Sequence, residues 1–171
     1  MYNKAKKYVY PYVILIAVLV GLSVFLFFQV EFYNGLYSVH TANINVSGLC
    51  TANKTSMLFF YSDNCQSCKT EYSAFRNTTS LFGLWSGDRF YSQYFCAYSV
   101  NMSQYAVNSS DVFAPPESIS IFDAYSGSRV PFIVFGGRYY KIGGFQSSAD
   151  ADSEILKYVC LSINSTTGQC S

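Results

Sequence analysis

One uninterrupted apolar run near the N-terminus limits most strongly what this chain can fold into. Residues 12–30 contain no charged side chain, and Gln29 is their only strongly polar one. Nineteen helical residues span about 28 Å, close to the hydrocarbon thickness of a bilayer. A cleaved signal peptide has a shorter apolar core followed by a small-residue cleavage site, which residues 27–31 lack. A core helix this apolar on all sides would need complete burial. The run therefore predicts one transmembrane anchor over residues 12–30.

The charges on either side of the run predict its orientation. Lys4, Lys6 and Lys7 precede it and Glu31 follows it. By the positive-inside rule, residues 1–11 are cytoplasmic, and the chain that follows the anchor is the extracytoplasmic part of a single-pass cell-membrane protein. Asn-X-Ser/Thr sequons, which are used only outside the cytosol, agree with this orientation. Six of the ten asparagines begin one, against about two by chance, namely Asn45, Asn53, Asn77, Asn101, Asn108 and Asn164. We therefore expect a glycoprotein.

The charge balance argues against one class of partner. The net charge is +1, and from residue 32 onward eight Lys/Arg stand against nine Asp/Glu. A chain without a basic field has no electrostatic means of holding nucleic acid, so no nucleic-acid partner is expected.

The outer part reads as an α/β domain over residues 51–171, joined to the anchor by a linker over residues 31–50. The linker contains a possible edge strand at Ala42–Val46. The expected order is strand, helix, strand, helix, strand, strand, helix. The first predicted segments are a strand at Met57–Tyr61 and a helix from Cys65 that is interrupted or bent around Asn77–Ser80 and ends at Gly87-Asp88. The apolar face of that helix would carry Tyr72, Phe75, Leu81, Phe82 and Trp85. The later segments are a strand within Tyr94–Val100, a short helix opened by Pro115-Pro116-Glu117 and running through Phe122, strands at Val130–Phe135 and Arg138–Ile142, and a helix at Asp150–Leu161.

Cys65-Gln66-Ser67-Cys68 stands where a buried strand gives way to a helix. A helix N-terminus presents unpaired N–H groups and a partial positive charge, which stabilise thiolate over thiol. The first cysteine of such a pair is therefore the nucleophile, and the second resolves the mixed disulfide. Asn64 is a candidate N-cap for this helix. Two other readings are a zinc half-site, which lacks its second pair of ligands, and an inert structural disulfide.

The run SMLFFYSDNCQSCKTEYSAF resembles the active-site strand and helix of thioredoxin-fold proteins, including Lys69 after the second cysteine. Independently, VPFIVFGGRYYKIGGF resembles that family's second signature, a proline-led hairpin followed by a glycine bend. The resemblance covers residues 56–161. It implies a thioredoxin-like fold, a central mixed sheet flanked by helices. It also implies a cis peptide bond at Val130–Pro131 beside the cysteine pair, where these two residues bind the substrate backbone.

Two departures from the family leave the direction of electron flow open. Phe59 stands where many thioredoxins have a buried proton-relaying aspartate. Gln66-Ser67 matches neither the Gly-Pro of reducing members nor the His-containing dipeptide of strong oxidants.

Four further cysteines, Cys50, Cys96, Cys160 and Cys170, allow three disulfide connectivities in an oxidising compartment. A Cys160–Cys170 bridge would pin the tail to the last helix. The resemblance favours Cys50–Cys96, because in the thioredoxin fold an N-terminal extension pairs with the edge strand that would hold Cys96. The alternative is that one of these pairs is redox-active and relays electrons to or from Cys65–Cys68.

These observations predict a membrane-anchored protein-disulfide oxidoreductase. Its catalytic residues would be Cys65 and Cys68, its substrate-binding residues Val130 and Pro131, and its supporting residues Asn64, Gln66, Ser67 and Lys69. Neither a metal nor an organic cofactor is expected. The expected partners are client proteins with thiols or disulfides, and a membrane thiol oxidase or reductase that resets the pair. The rival prediction is a redox-inactive thioredoxin-fold binding module, or a subunit of a membrane complex.

Overall fold

A computed structural model describes the backbone of residues 2–51, 54–108, 114–164 and 168–170. Within those ranges it describes the side chains of residues 12–29 and of those from 38 onward. The chain forms two compact units, Met1–Leu36 and Tyr37–Ser171.

The first unit is helix α1, Tyr2–Tyr37. Its stretch Tyr12–Gln29 has a mean hydropathy of 2.5, and none of that stretch is buried. Among the described residues, α1 alone is long and apolar enough to cross a membrane. The helix extends beyond the predicted anchor at both ends.

The second unit is a mixed α/β domain around a seven-stranded sheet in the order β1-β7-β6-β2-β5-β4-β3. Its strands are β1 His40–Thr41, β2 Thr55–Tyr61, β3 Gly83–Ser86, β4 Arg89–Ser92, β5 Phe95–Asn101, β6 Phe132–Phe135 and β7 Tyr139–Ile142. Its helices are α2 Gln66–Ser80, α3 Met102–Val107, α4 Pro116–Tyr125 and α5 Ser148–Ile163. The short helix α3 falls in a region for which the sequence predicted no element.

Strand β2 is the centre of the sheet. It pairs in parallel with β5 and antiparallel with β6. Side chains alternate between the two faces of a strand, so a run buried throughout needs cover on both faces. Phe59 belongs to the cluster that contains Phe75 of α2 and Ile155 of α5. Phe60 belongs to the other cluster, with Phe122 of α4. Helices on both faces thus explain why Met57–Tyr61 is apolar without alternation.

The interruption predicted around Asn77–Ser80 is where the helix ends, and the predicted continuation through Trp85 was wrong. Helix α2 ends at Ser80, and the chain then forms the β3–β4 hairpin, with Gly87-Asp88 at its turn. Phe82 and Trp85 still pack on the core, but they do so from the hairpin. Their three-residue spacing suits a helix, yet Gly83 lies so close to the carbonyl of Tyr91 that any Cβ there would clash. The close pairing of the two strands therefore decides this segment.

The N-terminal extension lies on the opposite edge of the sheet from the one expected. Strand β1 pairs with β7, and the amides of Ala42 and Ile44 continue the pairing to the carbonyls of Arg138 and Gly137 at 2.9 and 2.8 Å. Strand β5 has no free edge, because β2 and β4 flank it. Ile44 and Leu49 are buried in the core, so residues 38–50, predicted as part of a linker, pack as part of the domain.

Both predicted flanking disulfides are present. Cys50 and Cys96 have Cα atoms 5.8 Å apart, and those of Cys160 and Cys170 are 5.6 Å apart. The first bridge forms although the extension does not pair with β5. It joins the end of the extension directly to the side chain of a β5 residue, beside the carbonyl of Leu49.

Candidate redox site

The cysteine pair lies where β2 leaves the sheet and α2 begins. Residues Ser62–Asn64 turn the chain, and the amide of Cys65 donates to the carbonyl of Ser62 at 3.1 Å. Cys65 and Cys68 are joined as a disulfide, with Cα atoms 5.2 Å apart.

The two sulfurs have different surroundings. Cys68 is 1% exposed, whereas Cys65 is half-buried. The amide of Cys68 donates to Sγ of Cys65 at 3.1 Å, and the Ser67 hydroxyl lies 3.4 Å from the same sulfur. An N–H group of the first turn thus points at the accessible sulfur, and this geometry favours negative charge there after reduction.

Cys65 itself is the N-cap of α2, with an extended backbone and its sulfur as the acceptor. Asn64, the predicted cap, is instead exposed in the turn. A cap residue must immediately precede the first helical residue, and α2 begins at Gln66. Gln66, Ser67 and Lys69 are all exposed around the pair.

The Val130–Pro131 segment lies beside the pair, although it is distant in sequence. The carbonyl oxygen of Val130 is 3.9 Å from Sγ of Cys65. The Val130–Pro131 bond is cis, as predicted. Pro131 is buried, and its carbonyl accepts from the amide of Gly143 at 2.8 Å. The structure therefore brings together Cys65, Cys68 and Val130.

A set of hydrogen bonds holds the Ser62–Asn64 turn against the end of β5. Nδ2 of Asn101 donates to Oδ1 of Asp63 at 2.8 Å. The hydroxyls of Ser62 and Ser103 are 2.6 Å apart, and the Asp63 amide donates to the Ser103 hydroxyl at 3.2 Å. Asn101 is buried and also caps α3. The turn that presents Cys65 is thus fixed by the neighbouring parallel strand.

Phe59 stands at the position where many thioredoxins have a buried aspartate. Phe59 is fully buried, and its ring lies 5.2 Å from that of Phe75 and 5.9 Å from that of Tyr72 between centroids. A buried acid does occur nearby, on α2 itself. Glu71 is 2% exposed, and Oε1 accepts from the amide of Phe145 at 2.5 Å.

Burial raises the pKa of Glu71 to about 7, and the Phe145 amide and the charge of Lys141 oppose the shift. Lys141 of β7 is also buried, and burial lowers its pKa while Glu71 and Glu154 act to raise it. A charge in such surroundings loses its hydration, which favours the neutral form of each group.

Sequence reasoning missed Asn101, Glu71, Lys141 and Phe145. A signal existed for Asn101, because β2 and β5 were both predicted, and the carboxyl ends of parallel neighbours meet at one edge. For Glu71 the sequence contained a partial signal. Glu71 follows Cys68 by three residues and so lies on the same face of the helix. For Lys141 and Phe145 the local pattern offered none.

No protein-family model, no curated protein and no solved structure matches this chain.

Proposed function

We propose that this protein is a membrane-anchored, extracytoplasmic thiol–disulfide oxidoreductase that acts on protein disulfides through Cys65 and Cys68. The observation that carries the proposal is the asymmetry of the pair. One sulfur is accessible and receives a helix N-terminal amide, and the other is buried one turn further on. A bridge that serves only stability has no need of this difference.

The chemistry follows from that asymmetry. In the oxidising direction, a client thiolate attacks Sγ of Cys65, the Cys65–Cys68 bond breaks, and Cys68 leaves as the thiolate. A second client thiolate then attacks the client sulfur of the mixed disulfide. Cys65 leaves as a thiolate, and the client retains the new disulfide. Two electrons pass from the client to the pair, and the reducing direction is the exact reverse.

The pair must be reset after each turnover. A membrane thiol oxidase would accept the two electrons in the oxidising direction, and a membrane thiol reductase would supply them in the other. The anchor would keep the domain near such a partner. We therefore propose these enzymes, by class, as its recycling partners, and proteins with exposed thiols or disulfides as its clients.

A thioredoxin-like fold is part of the proposal. It is supported by the parallel β2–α2–β5 unit, the antiparallel β6–β7 hairpin and the closing helix α5. The cis Val130–Pro131 segment beside Cys65 is also consistent with it. In this reading the backbone of Val130 pairs with the client chain near the attacking sulfur.

The membrane placement rests on α1 and the charges around it. Three lysines precede the apolar stretch, and Glu31 follows it. We propose a cytoplasmic N-terminus and an extracytoplasmic domain from residue 38 onward, where an oxidising environment would maintain the three disulfides.

The test is a trapping experiment with the full chain in its membrane. Cys68→Ser leaves a nucleophile without its resolving partner, so mixed disulfides with clients should accumulate as high-mass species that vanish on reduction. Cys65→Ser is the matched control and should trap few, because its remaining sulfur is buried. If Cys68→Ser traps nothing and the wild-type protein neither oxidises nor reduces a test protein, the redox-inactive binding module replaces this proposal.

A further inference from the structure

Glu71 joins helix α2, which begins at the cysteine pair, to a segment far along the chain. It lies three residues after Cys68, and its Oε1 accepts from the amide of Phe145, 74 residues later. The segment Gly143–Ser147, which links β7 to α5, therefore passes directly over the first two turns of α2. At Gly144 a Cβ atom would lie 2.8 Å from Oε1 of Glu71 and 3.2 Å from Cβ of Ser67. Only glycine permits this approach without displacement.

A cleft of about 330 Å³ opens between the segment and the helix. It begins at Ser67, which lies between the two redox cysteines in sequence. Its lining is rich in hydroxyl and amide groups, and apart from Glu71 it carries no ionisable side chain, since it is formed by Ser67, Thr70, Glu71, Phe145, Gln146, Ser147 and Ser148. Such a surface suits an uncharged polar stretch of polypeptide, whose N–H and C=O groups find hydrogen-bond partners there.

A buried carboxyl group such as that of Glu71 is uncommon in a contact that serves only stability. Oε1 accepts a hydrogen bond from the amide of Phe145, but Oε2 is buried and has no hydrogen-bond partner among the described residues. The positive charge of Lys141 acts on Glu71 and opposes the rise of its pKa, and Nζ of Lys141 lies 4.8 Å from the centroid of the Phe145 ring. Glu154 of α5 acts on Lys141 in turn. Glu71, Lys141 and Phe145 thus form one connected group, and two of its members, Glu71 and Phe145, line the cleft.

We propose that Glu71 is a positioning residue for client binding. Through the amide of Phe145 it holds the segment Gly143–Ser147 against helix α2. It thereby shapes a cleft that receives an uncharged polar stretch of the client beside Cys65. The inference rests on the proposed function, because it assigns a client-binding surface to the same site.

The test separates client binding from sulfur chemistry. Exchange is measured with the full chain in detergent micelles on two substrates. One is a small disulfide, cystamine, which is too short to fill the cleft. The other is an unstructured Ser/Thr/Gln-rich peptide that carries a single mixed disulfide. Glu71→Leu removes the acceptor, whereas Glu71→Gln keeps an oxygen that accepts from Phe145. The matched control is Glu117→Gln, which makes the same charge change at an exposed residue of α4, outside this group.

Loss of one buried hydrogen bond should raise KM for the peptide about fivefold to tenfold in Glu71→Leu. Its kcat and its rate with cystamine should stay within about twofold of wild type. Glu71→Gln and Glu117→Gln should resemble wild type on both substrates. Gly144→Ala keeps the Glu71 side chain but puts a Cβ atom against its Oε1 and against Cβ of Ser67, so it should push the segment and the helix apart and also raise KM for the peptide. This second variant keeps the test valid if Glu71→Leu fails to fold.

Equal losses on the two substrates would mean that Glu71 acts on the sulfur chemistry, and the positioning role would be abandoned. An unchanged peptide KM in both Glu71→Leu and Gly144→Ala would show that the cleft is not used. A wild-type protein that exchanges with neither substrate would overturn the proposed function, and this inference with it.

Discussion

At the scale of single residues, Cys65 has two tasks that require one geometry. As the N-cap of α2 it needs an extended backbone and an acceptor directed at the first turn. As the proposed nucleophile it needs access and a nearby N–H group. One sulfur, held 3.1 Å from the amide of Cys68, meets both needs. The helix terminus and the reactive group are therefore stabilised by the same contact.

Glu71 makes folding stability depend on pH. Its folded pKa of about 7 lies above its ordinary value of 4.5. Below pH 4.5 the carboxyl is protonated in both states. Between 4.5 and 7 the unfolded state loses its proton first, so stability falls as pH rises through this window. Glu71→Gln should remove this contribution to the pH dependence. The free energy of unfolding of the variant, relative to that of wild type, should therefore rise by about 3 kcal/mol from pH 4.5 to 7.5.

Urea unfolding of the full chain in detergent, with disulfides intact, at pH 4.5, 5.5 and 7.5 measures this difference. Glu117→Gln provides the control, because Glu117 is an exposed residue of α4. A difference between Glu71→Gln and wild type that stays constant across the three pH values would contradict the assignment.

At the scale of elements, the β6–β7 hairpin holds the N-terminal extension through its glycine turn. Gly137 has a φ of +72°, and a Cβ atom there would clash with the carbonyl of Ile44. Gly87 in the β3–β4 turn has a φ of +60° and no neighbour within 4 Å of such an atom. Both need glycine for their backbone conformation, but only Gly137 also needs it for packing.

Replacing each of these glycines by alanine should therefore have unequal costs. Gly87→Ala should lose about 1 kcal/mol, the cost of a left-handed backbone for a residue with a side chain. Gly137→Ala should lose about 1–3 kcal/mol more, because the Ile44 segment must move. Chemical denaturation of the two variants under the same conditions measures the gap, and equal losses would show that the extension is not held through this contact.

At the scale of the whole molecule, the exposure of each sequon asparagine predicts whether it can carry a glycan. Asn45, Asn77, Asn108 and Asn164 are exposed, Asn101 is buried, and Asn53 lies outside the described residues. A glycan on Nδ2 of Asn101 would displace its hydrogen bond to Asp63. An acceptor needs an accessible amide, so Asn101 should carry no glycan in the folded protein.

Expression of the full chain in a eukaryotic secretory pathway tests this expectation together with the orientation. Asn77→Gln should lower the apparent mass by one glycan, and Asn101→Gln should not. Complete absence of glycans on the wild-type chain would place the domain on the cytoplasmic side and overturn the proposed topology.

Features that depend on neighbouring residues alone could be determined from the sequence. The apolar run predicted a membrane-spanning helix, and α1 contains a stretch long and apolar enough to cross a membrane. The Met57–Tyr61 run before Cys65 predicted the strand and helix that flank the pair, because burial and helix initiation are local properties. The two flanking disulfides were also predicted, although the reason given for Cys50–Cys96 was wrong about the edge of the sheet.

The tertiary structure alone decided the rest, because it depends on residues far apart in sequence. Phe82 and Trp85 have helical spacing, yet close pairing of β3 with β4 places them in a hairpin. Glu71 is an acidic residue that the local pattern gives no reason to bury, but α2 turns it toward Phe145, 74 residues away. Asn101 read as a glycan acceptor until parallel pairing brought it to Asp63. Local periodicity cannot encode such contacts, since packing between distant segments overrides local preference.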